Sequence, residues 1–265
     1  MSAVPDVISA ASTVVDAAEL ASISGSKIVR FFNKHFRSKI RVLVYGDSGV
    51  GKTQFLKTLT GNNAYSTVPK RTRQLQHYSL TLASGRQVEL IDTPGHHTNR
   101  YERNTALNDM VRGRVDGIIN LVDYGYQDSE LVQDNPEAVF QTGTSTVKQE
   151  YLRNNRKMEI SRTKEFIERI GPDVNVKWII TVINKADVWD SERDTVINYY
   201  CNEDYHEAIQ ELEHSVQMVV NPFCSVITPF GNKEMTLTYS ERDKQRDYKD
   251  LIMVLEEFIQ KRHGE

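Results

Sequence analysis

The sequence predicts a three-layer α/β fold, in which a mostly parallel sheet of about six strands carries helices on both faces. Continuous apolar runs at 116–124 and 176–185 are typical of strands that are buried on both sides. Helical segments alternate with such runs, which favours parallel strands joined by crossover connections. The segments at 77–84 and 86–92 are joined by a Ser84-Gly85 turn and predict a hairpin, so one strand should be antiparallel at the edge.

Each element is predicted from the spacing of its apolar residues. Strands are expected at residues 39–45, 77–84, 86–92, 116–124, 176–185 and 220–227. Helices are expected from Gly51 to about Thr60 and at residues 104–112, 150–170, 205–219 and 247–262. In the last helix the inward positions are expected to be Leu251, Ile252, Leu255, Phe258 and Ile259.

Composition limits the possible functions and locations. The chain has 265 residues and a formal net charge of -3, which gives no case for nucleic acid as a direct partner. Its two cysteines, Cys201 and Cys224, lie far apart and form no zinc pattern or disulfide framework. We expect a cytoplasmic protein, because no apolar run approaches the roughly 20 residues that span a bilayer and the N-terminus lacks the features of a secretory signal.

The first 38 residues differ from the rest and are predicted to form an N-terminal helical extension, with the main domain at 39–265. The stretch SKIVRFFNKHFRSK places Ile28, Phe31, Phe32 and Phe36 on one helical face, ringed by lysines and arginines. Such a helix either makes a weak, salt-sensitive contact with an anionic membrane or packs on the main domain itself. A peripheral membrane location is therefore one of two expectations.

A glycine-rich stretch, GDSGVGKT, follows the first predicted strand and opens the first predicted helix. It fits the phosphate-binding pattern G-x-x-x-x-G-K-[ST]. Glycine tolerates positive φ and close backbone approach, so N–H groups converge on a phosphate chain at a helix N-terminus. Lys52 would reach the β- and γ-phosphates, and Thr53 would offer its hydroxyl to Mg²⁺. The predicted phosphate-binding residues are Gly46, Asp47, Ser48, Gly49, Val50, Gly51, Lys52, Thr53 and Gln54.

Two further motifs end predicted strands. In LIDTPG a strand ends at Asp92, with Gly95 three residues on, and in TVINKADVW a strand ends in Asn184-Lys185-x-Asp187. Together and in this order, GDSGVGKT, DTPG and NKAD resemble the GTPase branch of the P-loop NTPases over about residues 39–262. The resemblance implies a Ras-like P-loop GTPase fold that binds GTP or GDP with Mg²⁺. DTPG and NKAD are similar to the Era-like and translation-factor GTPases, and the loop is similar to that of Rab proteins.

Base selectivity is expected to come from Asp187. Its carboxylate can accept hydrogen bonds from guanine N1–H and the 2-amino group, whereas adenine offers neither, and sites of this kind reject analogues by about 10⁴–10⁵. The resemblance implies that Asn184 contacts the base edge and ties the loops together, while the Lys185 stem lies over the ring. It also assigns Ser225 and Val226, in FCSVI, to the family's fifth motif, where a backbone N–H meets the guanine oxygen.

The resemblance implies a switch threonine that binds Mg²⁺ through its hydroxyl and the γ-phosphate through its N–H. Thr72, in RTR, is favoured for this position over Thr67, because it lies 20 residues before Asp92, a spacing similar to that of the Era-like proteins. Asp92 would hold the Mg²⁺ shell through water, and the Gly95 N–H would touch the γ-phosphate. Thr53, Thr72 and Asp92 thus form the expected metal set.

Catalysis is assigned by the same resemblance to Lys52, Thr72, Gly95 and the residue after that glycine. DTPGH resembles the translation factors, which implies that His96 positions the attacking water, with His97 as the alternative. An internal arginine finger would fall on Pro69, so slow hydrolysis is expected, since a finger is worth about 10³–10⁵ in rate. Slow turnover suits a molecular switch.

Two functions remain open from the sequence alone. The chain either hydrolyses GTP slowly as a molecular switch or holds GTP as a scaffold or a membrane- or partner-recruitment module with little hydrolysis. A protein effector or GTPase-activating partner is expected in the first case. The polar, turn-rich insertion at about residues 125–150 is interpreted either as a partner-binding element or as a plain surface loop.

Overall fold

The computed structural model describes residues 40–61, 75–94, 115–127, 132, 134–170, 176–210, 216–228, 230 and 238–261. All of them belong to one compact unit that extends from Ile40 to Glu265. The predicted N-terminal helix and the predicted helix at 104–112 lie outside the described residues.

Six strands form one sheet in the described part of the chain, in the order β2-β3-β1-β4-β5-β6. The β2–β3 pair is antiparallel at one edge, and the other four pairings are parallel. The prediction of about six strands with one antiparallel edge strand is therefore confirmed. The strands are β1 (Ile40–Gly46), β2 (Gln76–Thr81), β3 (Gln87–Asp92), β4 (Gly117–Val122), β5 (Trp178–Ile183) and β6 (Gln217–Pro222).

The helices of the described residues range from one turn to about six turns. No helix among these residues combines the length and apolar character needed to cross a bilayer. The helices of the described residues are α1 (Lys52–Leu59), α2 (Pro136–Val139), α3 (Gln149–Ile170), α4 (Ala186–Trp189), α5 (Arg193–Asn202), α6 (Asp204–Ile209) and α7 (Glu241–Lys261), with a 3₁₀ turn at Asp190–Glu192.

The sheet separates two apolar layers, as the predicted three-layer fold requires. On one face α1 and α7 pack on β1, β3, β4 and β5, and the ring of Phe258 stacks on Trp178 with centroids 5.5 Å apart. On the other face α3, α5 and α6 cover the sheet. Of the residues predicted to point inward from the last helix, Ile252 is half-buried and the other four are buried.

Gly117 shows how tightly these layers are packed. A Cβ at this position would lie 2.1 Å from the ring of Trp178 on the neighbouring strand. The indole therefore lies against the backbone of β4, where only a glycine leaves room.

Three sequence predictions about element bounds are wrong, one of them being the start of the last helix, since α7 begins at Glu241 and not at residue 247. The predicted helix at 205–219 ends early, because α6 stops at Ile209 and residues from Gln217 already belong to β6. β6 also ends at Pro222 instead of at residue 227, so the FCSVI segment is a loop that follows the strand. Helix α5, whose Val196, Tyr199 and Tyr200 are buried, was not predicted from the sequence.

The described part of the 125–150 insertion packs against the domain. Phe140 and Val147 form an isolated β-bridge, and both side chains are buried together with Val139. The Phe140 ring also contacts Phe230, with centroids 6.0 Å apart. Residues 134–138, which precede these anchors, and most of residues 141–146, which lie between Phe140 and Val147, are exposed.

Candidate nucleotide-binding site

The predicted motifs meet at one edge of the sheet. β1 ends at Gly46, β3 at Asp92 and β5 just before Asn184, and these three strands run parallel. The chain also reverses its strand order at β1, which pairs with β3 on one side and β4 on the other. A crevice at such a reversal, beyond the carboxyl ends of the strands, is where open α/β sheets bind ligands.

The phosphate-binding loop bends through three glycines with positive φ: Gly46 at 148°, Gly49 at 83° and Gly51 at 90°. Gly51 stands at the N-cap of α1 in the left-handed region, and a Cβ there would lie 2.7 Å from Asn184 Nδ2. The buried Lys52 Nζ donates to the carbonyl of Gly46 at 2.8 Å and to that of Asp47 at 2.6 Å. The lysine charge is thus held over the loop.

Thr53 and Asp92 satisfy the chemistry of the expected metal site. Thr53 lies in the first turn of α1 and donates its hydroxyl to Asp92 Oδ2 at 3.0 Å. Asp92 is fully buried at the end of β3. Hydroxyl and carboxylate oxygens are donors that Mg²⁺ prefers, so the residues present fit this ion.

Asn184 ties three loops together. Its Nδ2 donates to the carbonyl of Val50 at 2.7 Å, and its Oδ1 accepts the Ser225 N–H at 3.1 Å and the Ser225 hydroxyl at 2.9 Å. Trp189 Nε1 in turn donates to the Asn184 carbonyl at 2.8 Å. Because Asn184 occupies the Ser225 N–H, the Val226 N–H is the candidate for a contact with the guanine oxygen.

Lys185 adds a second tie to the phosphate-binding loop. Its Nζ donates to the carbonyl of Gly49 at 2.7 Å, to Asp123 Oδ2 at 3.0 Å and to the carbonyl of Tyr126. The residue has a φ of 59°, an uncommon left-handed conformation for a side chain of this size. These three acceptors hold the Lys185 amine in place beside the phosphate-binding loop.

Asp187 is buried at the start of α4, and both carboxylate oxygens accept hydrogen bonds. Oδ1 accepts from the Cys224 thiol at 3.3 Å and Oδ2 from the Thr228 N–H at 3.1 Å. Burial raises the pKa of the Asp187 carboxyl, and these two donors partly offset that effect. Burial also raises the pKa of the Cys224 thiol, so this residue donates as a neutral group.

A buried polar cluster that the motifs did not predict lies beneath the loop. Asp47 Oδ2 accepts from Gln127 Nε2 at 3.2 Å and is paired with Arg162 of α3. Glu159, one turn earlier on α3, accepts from the Asp123 N–H at 3.3 Å and the Tyr200 hydroxyl at 2.7 Å.

The electrostatics of this cluster follow from its burial. Burial, reinforced by the charge of Asp123, raises the pKa of Glu159 to about 8. The pKa of Asp123 is raised by burial too, and its Lys185 partner acts in the opposite direction. At neutral pH, Glu159 is therefore a protonated, uncharged carboxyl.

The structure does not describe five of the residues discussed for the switches and catalysis. Thr67, Thr72, Gly95, His96 and His97 lie outside the described residues. Their roles stay predictions. The residues of the site that were not predicted from the sequence are Gln127, Asp123, Glu159, Arg162 and Cys224. One signal for the part on α3 was detectable, because Asn155, Glu159 and Thr163 are polar residues at four-residue spacing, and all three are buried.

Comparison with known proteins decides the family. Residues 41–185, more than half of the chain, match the family described as 50S ribosome-binding GTPase. This chain belongs to that GTPase family. Membership supports binding and hydrolysis of GTP in general.

Individual relatives are more distant. GTPase Era from Treponema denticola (strain ATCC 35405 / DSM 14222 / CIP 103919 / JCM 8153 / KCTC 15104) is 30% identical over 87 residues, which are 31% of this chain and 29% of that protein. The matched part of the chain thus spans less than a third of the length of this curated relative.

Solved structures support the fold. The structure of the mammalian SRP receptor is similar with a TM-score of 0.51 at 14% identity, covering 82% of this chain and 99% of that one. Bacterial selenocysteine-specific elongation factor EF-Sec gives 0.47 at 17% identity, over 84% of this chain and 29% of that one. At 14% identity, the likeness to the SRP receptor concerns the α/β architecture alone.

Proposed function

We propose that this GTPase hydrolyses GTP to GDP and phosphate slowly, with Mg²⁺, and acts as a molecular switch. The observation that carries the proposal is the Asn184 bridge, in which one side chain bonds both the phosphate-binding loop at Val50 and the Ser225 loop. This bridge joins the phosphate-binding loop, the NKAD segment and the Ser225 loop, which supports one crevice in which Thr53 and Asp92 serve the phosphates and Asp187 serves the base.

Each residue has a distinct part in this proposal. The loop N–H groups and Lys52 hold the β- and γ-phosphates, and the Asp187 carboxylate accepts from guanine N1–H and the 2-amino group. Mg²⁺, when bound beside Thr53 and Asp92, supplies positive charge that neutralises the phosphates. Thr72 and the Gly95 N–H sense the γ-phosphate, and His96 orients the attacking water.

The test combines competition with hydrolysis. A fluorescent guanine nucleotide bound to the wild type should be displaced by GTP and GDP but not by ATP. Phosphate release should be slow in the wild type and lost in Lys52→Ala. Competition by ATP as strong as that by GTP would refute the guanine assignment, and equal phosphate release by both proteins would indicate the scaffold function instead.

The switch threonine has its own test. Thr72→Ala should weaken GTP binding and leave GDP binding nearly intact, because only GTP carries the γ-phosphate that this residue is expected to sense. Thr67→Ala is the matched control and should change neither. A GTP-specific loss in Thr67→Ala alone would assign the switch to Thr67.

We further propose that residues 39–265 form the GTPase domain and that residues 1–38 extend it as a helix, in a cytoplasmic protein. The basic helix either packs on the domain or makes a weak contact with anionic membranes. Sedimentation with anionic vesicles at low and high salt separates these outcomes, with Phe31→Asp/Phe32→Asp as the variant. A protein effector or GTPase-activating partner is expected to recognise the GTP-bound form.

A further inference from the structure

Arg162 lies outside every motif, yet its guanidinium contacts the phosphate-binding loop. Nη1 is paired with Oδ2 of Asp47, the residue directly after Gly46, and Gln127 Nε2 donates to the same oxygen at 3.2 Å. Asp47 is only 5% exposed, and its Oδ1 is buried without a hydrogen-bond partner among the described residues. A carboxylate is therefore enclosed in a loop that has to hold an anion.

The packing of α3 against β1 keeps the arginine in place. Phe166, one turn after Arg162, stacks on Tyr45 with ring centroids 3.7 Å apart. Tyr45 directly precedes Gly46, and its hydroxyl also lies 3.5 Å from the Arg162 carbonyl, to which it donates. The helix is thus fixed to the strand that leads into the loop, and the position of Arg162 relative to Asp47 follows from that contact.

The charge balance makes this pair important for phosphate binding. An unpaired carboxylate in a buried loop repels a phosphate chain strongly, because electrostatic interactions are larger there than in water. The other two acids of the cluster are compensated without Arg162. Asp123 is paired with Lys185 at 3.0 Å, and the raised pKa of Glu159, about 8, keeps that carboxyl neutral at pH 7.

We propose that Arg162 neutralises Asp47 and thereby sets the ratio of GTP affinity to GDP affinity of the phosphate-binding loop. The inference rests on the proposed function. Arg162 is a positioning residue that acts on nucleotide binding through Asp47. Because GTP carries about one more negative charge than GDP, an uncompensated Asp47 should weaken GTP binding more.

The experiment measures GTP and GDP dissociation constants with fluorescent nucleotides in the full chain. Arg162→Gln should weaken GTP binding by about tenfold and GDP binding by a smaller factor, so that the ratio of GTP affinity to GDP affinity falls. Arg162→Lys should keep this ratio near the wild-type value, since it keeps the charge. Lys164→Gln removes an exposed cation two residues away on the same helix and should match the wild type.

The double variant Asp47→Asn/Arg162→Gln separates charge from structure. It should recover GTP binding relative to Arg162→Gln, to within about threefold of the wild type, because the negative charge is gone as well. Equal weakening of GTP and GDP in Arg162→Gln, or no recovery in the double variant, would overturn the inference. If Arg162→Gln does not fold, GTP binding by the double variant within about threefold of the wild type supports the inference, and a larger loss overturns it. A wild type that binds no guanine nucleotide would instead refute the proposed function.

Discussion

Replacing Glu159 with glutamine should make the protein more stable than the wild type near neutral pH. This gain in the free energy of unfolding should shrink as the pH falls. Glu159 is 4% exposed on α3, and burial raises its pKa from 4.5 to about 8. Between these values the folded protein keeps a proton that the unfolded chain has lost. The contribution of Glu159 to stability is thus fully present below pH 4.5 and is lost as the pH rises towards 8.

The magnitude follows from the slope of this linkage. Each pH unit in that window costs about 1.4 kcal/mol of the free energy of unfolding. Glu159→Gln is neutral at every pH, and its amide has the shape to keep the contacts with the Asp123 N–H and the Tyr200 hydroxyl. The difference in stability between variant and wild type should therefore shift by about 3 kcal/mol in favour of the variant between about pH 5.5 and about pH 7.5.

Urea unfolding provides the assay, at fixed GDP and Mg²⁺ concentrations. The chain has two tryptophans, Trp178 and Trp189, and both are buried in the fold, so their fluorescence reports unfolding. Glu168→Gln, which removes an exposed carboxylate from the same helix, is the matched control. Parallel stability curves for Glu159→Gln and the wild type across this pH range would refute the reasoning.

Asp187→Asn should exchange the recognised base edge, so that xanthosine nucleotides compete better than guanosine nucleotides; no gain for xanthosine would contradict this role. Because burial raises the Asp187 pKa, acidification should weaken guanine binding in the wild type as this carboxyl takes up a proton, and Asp187→Asn should lack that step. Gly117→Ala should lower the free energy of unfolding in urea by about 1–3 kcal/mol, since its Cβ would meet the Trp178 ring, and a cost near zero would show that the ring moves freely. His96→Ala should slow single-turnover hydrolysis while GTP affinity is kept, and normal turnover would shift the assignment to His97.

The sheet was predictable because its buried strands are continuous apolar runs with a motif at their ends. The failure at residues 205–219 has a physical cause. Tyr205 and Ile209 are spaced as on a helix, and α6 forms there, but Val219 and Val220 favour a strand that pairs with β5. Helix α5 was missed because it is rich in tyrosine and β-branched residues of low helix propensity, and burial of Tyr200 overrides that preference.

The motif residues of the site were predictable because each motif has a fixed spacing. The polar cluster beneath the loop has no such spacing in the sequence. Asp47 and Arg162 are 115 positions apart, and only the packing of α3 on β1 brings them together. Glu159 looked like one more polar residue of an amphipathic helix, since its burial depends on Tyr200 from a helix that was not predicted.

Under the proposed function, the ties from Asn184 and Lys185 to the phosphate-binding loop make selectivity for the base and affinity for the phosphates inseparable. Asn184 bonds Val50 and Lys185 bonds Gly49, so a change in either half of the crevice alters the backbone that serves the other. Free-energy changes from substitutions in the two halves should therefore fail to add. A variant made to accept a different base should therefore also change the affinity of the loop for the phosphates.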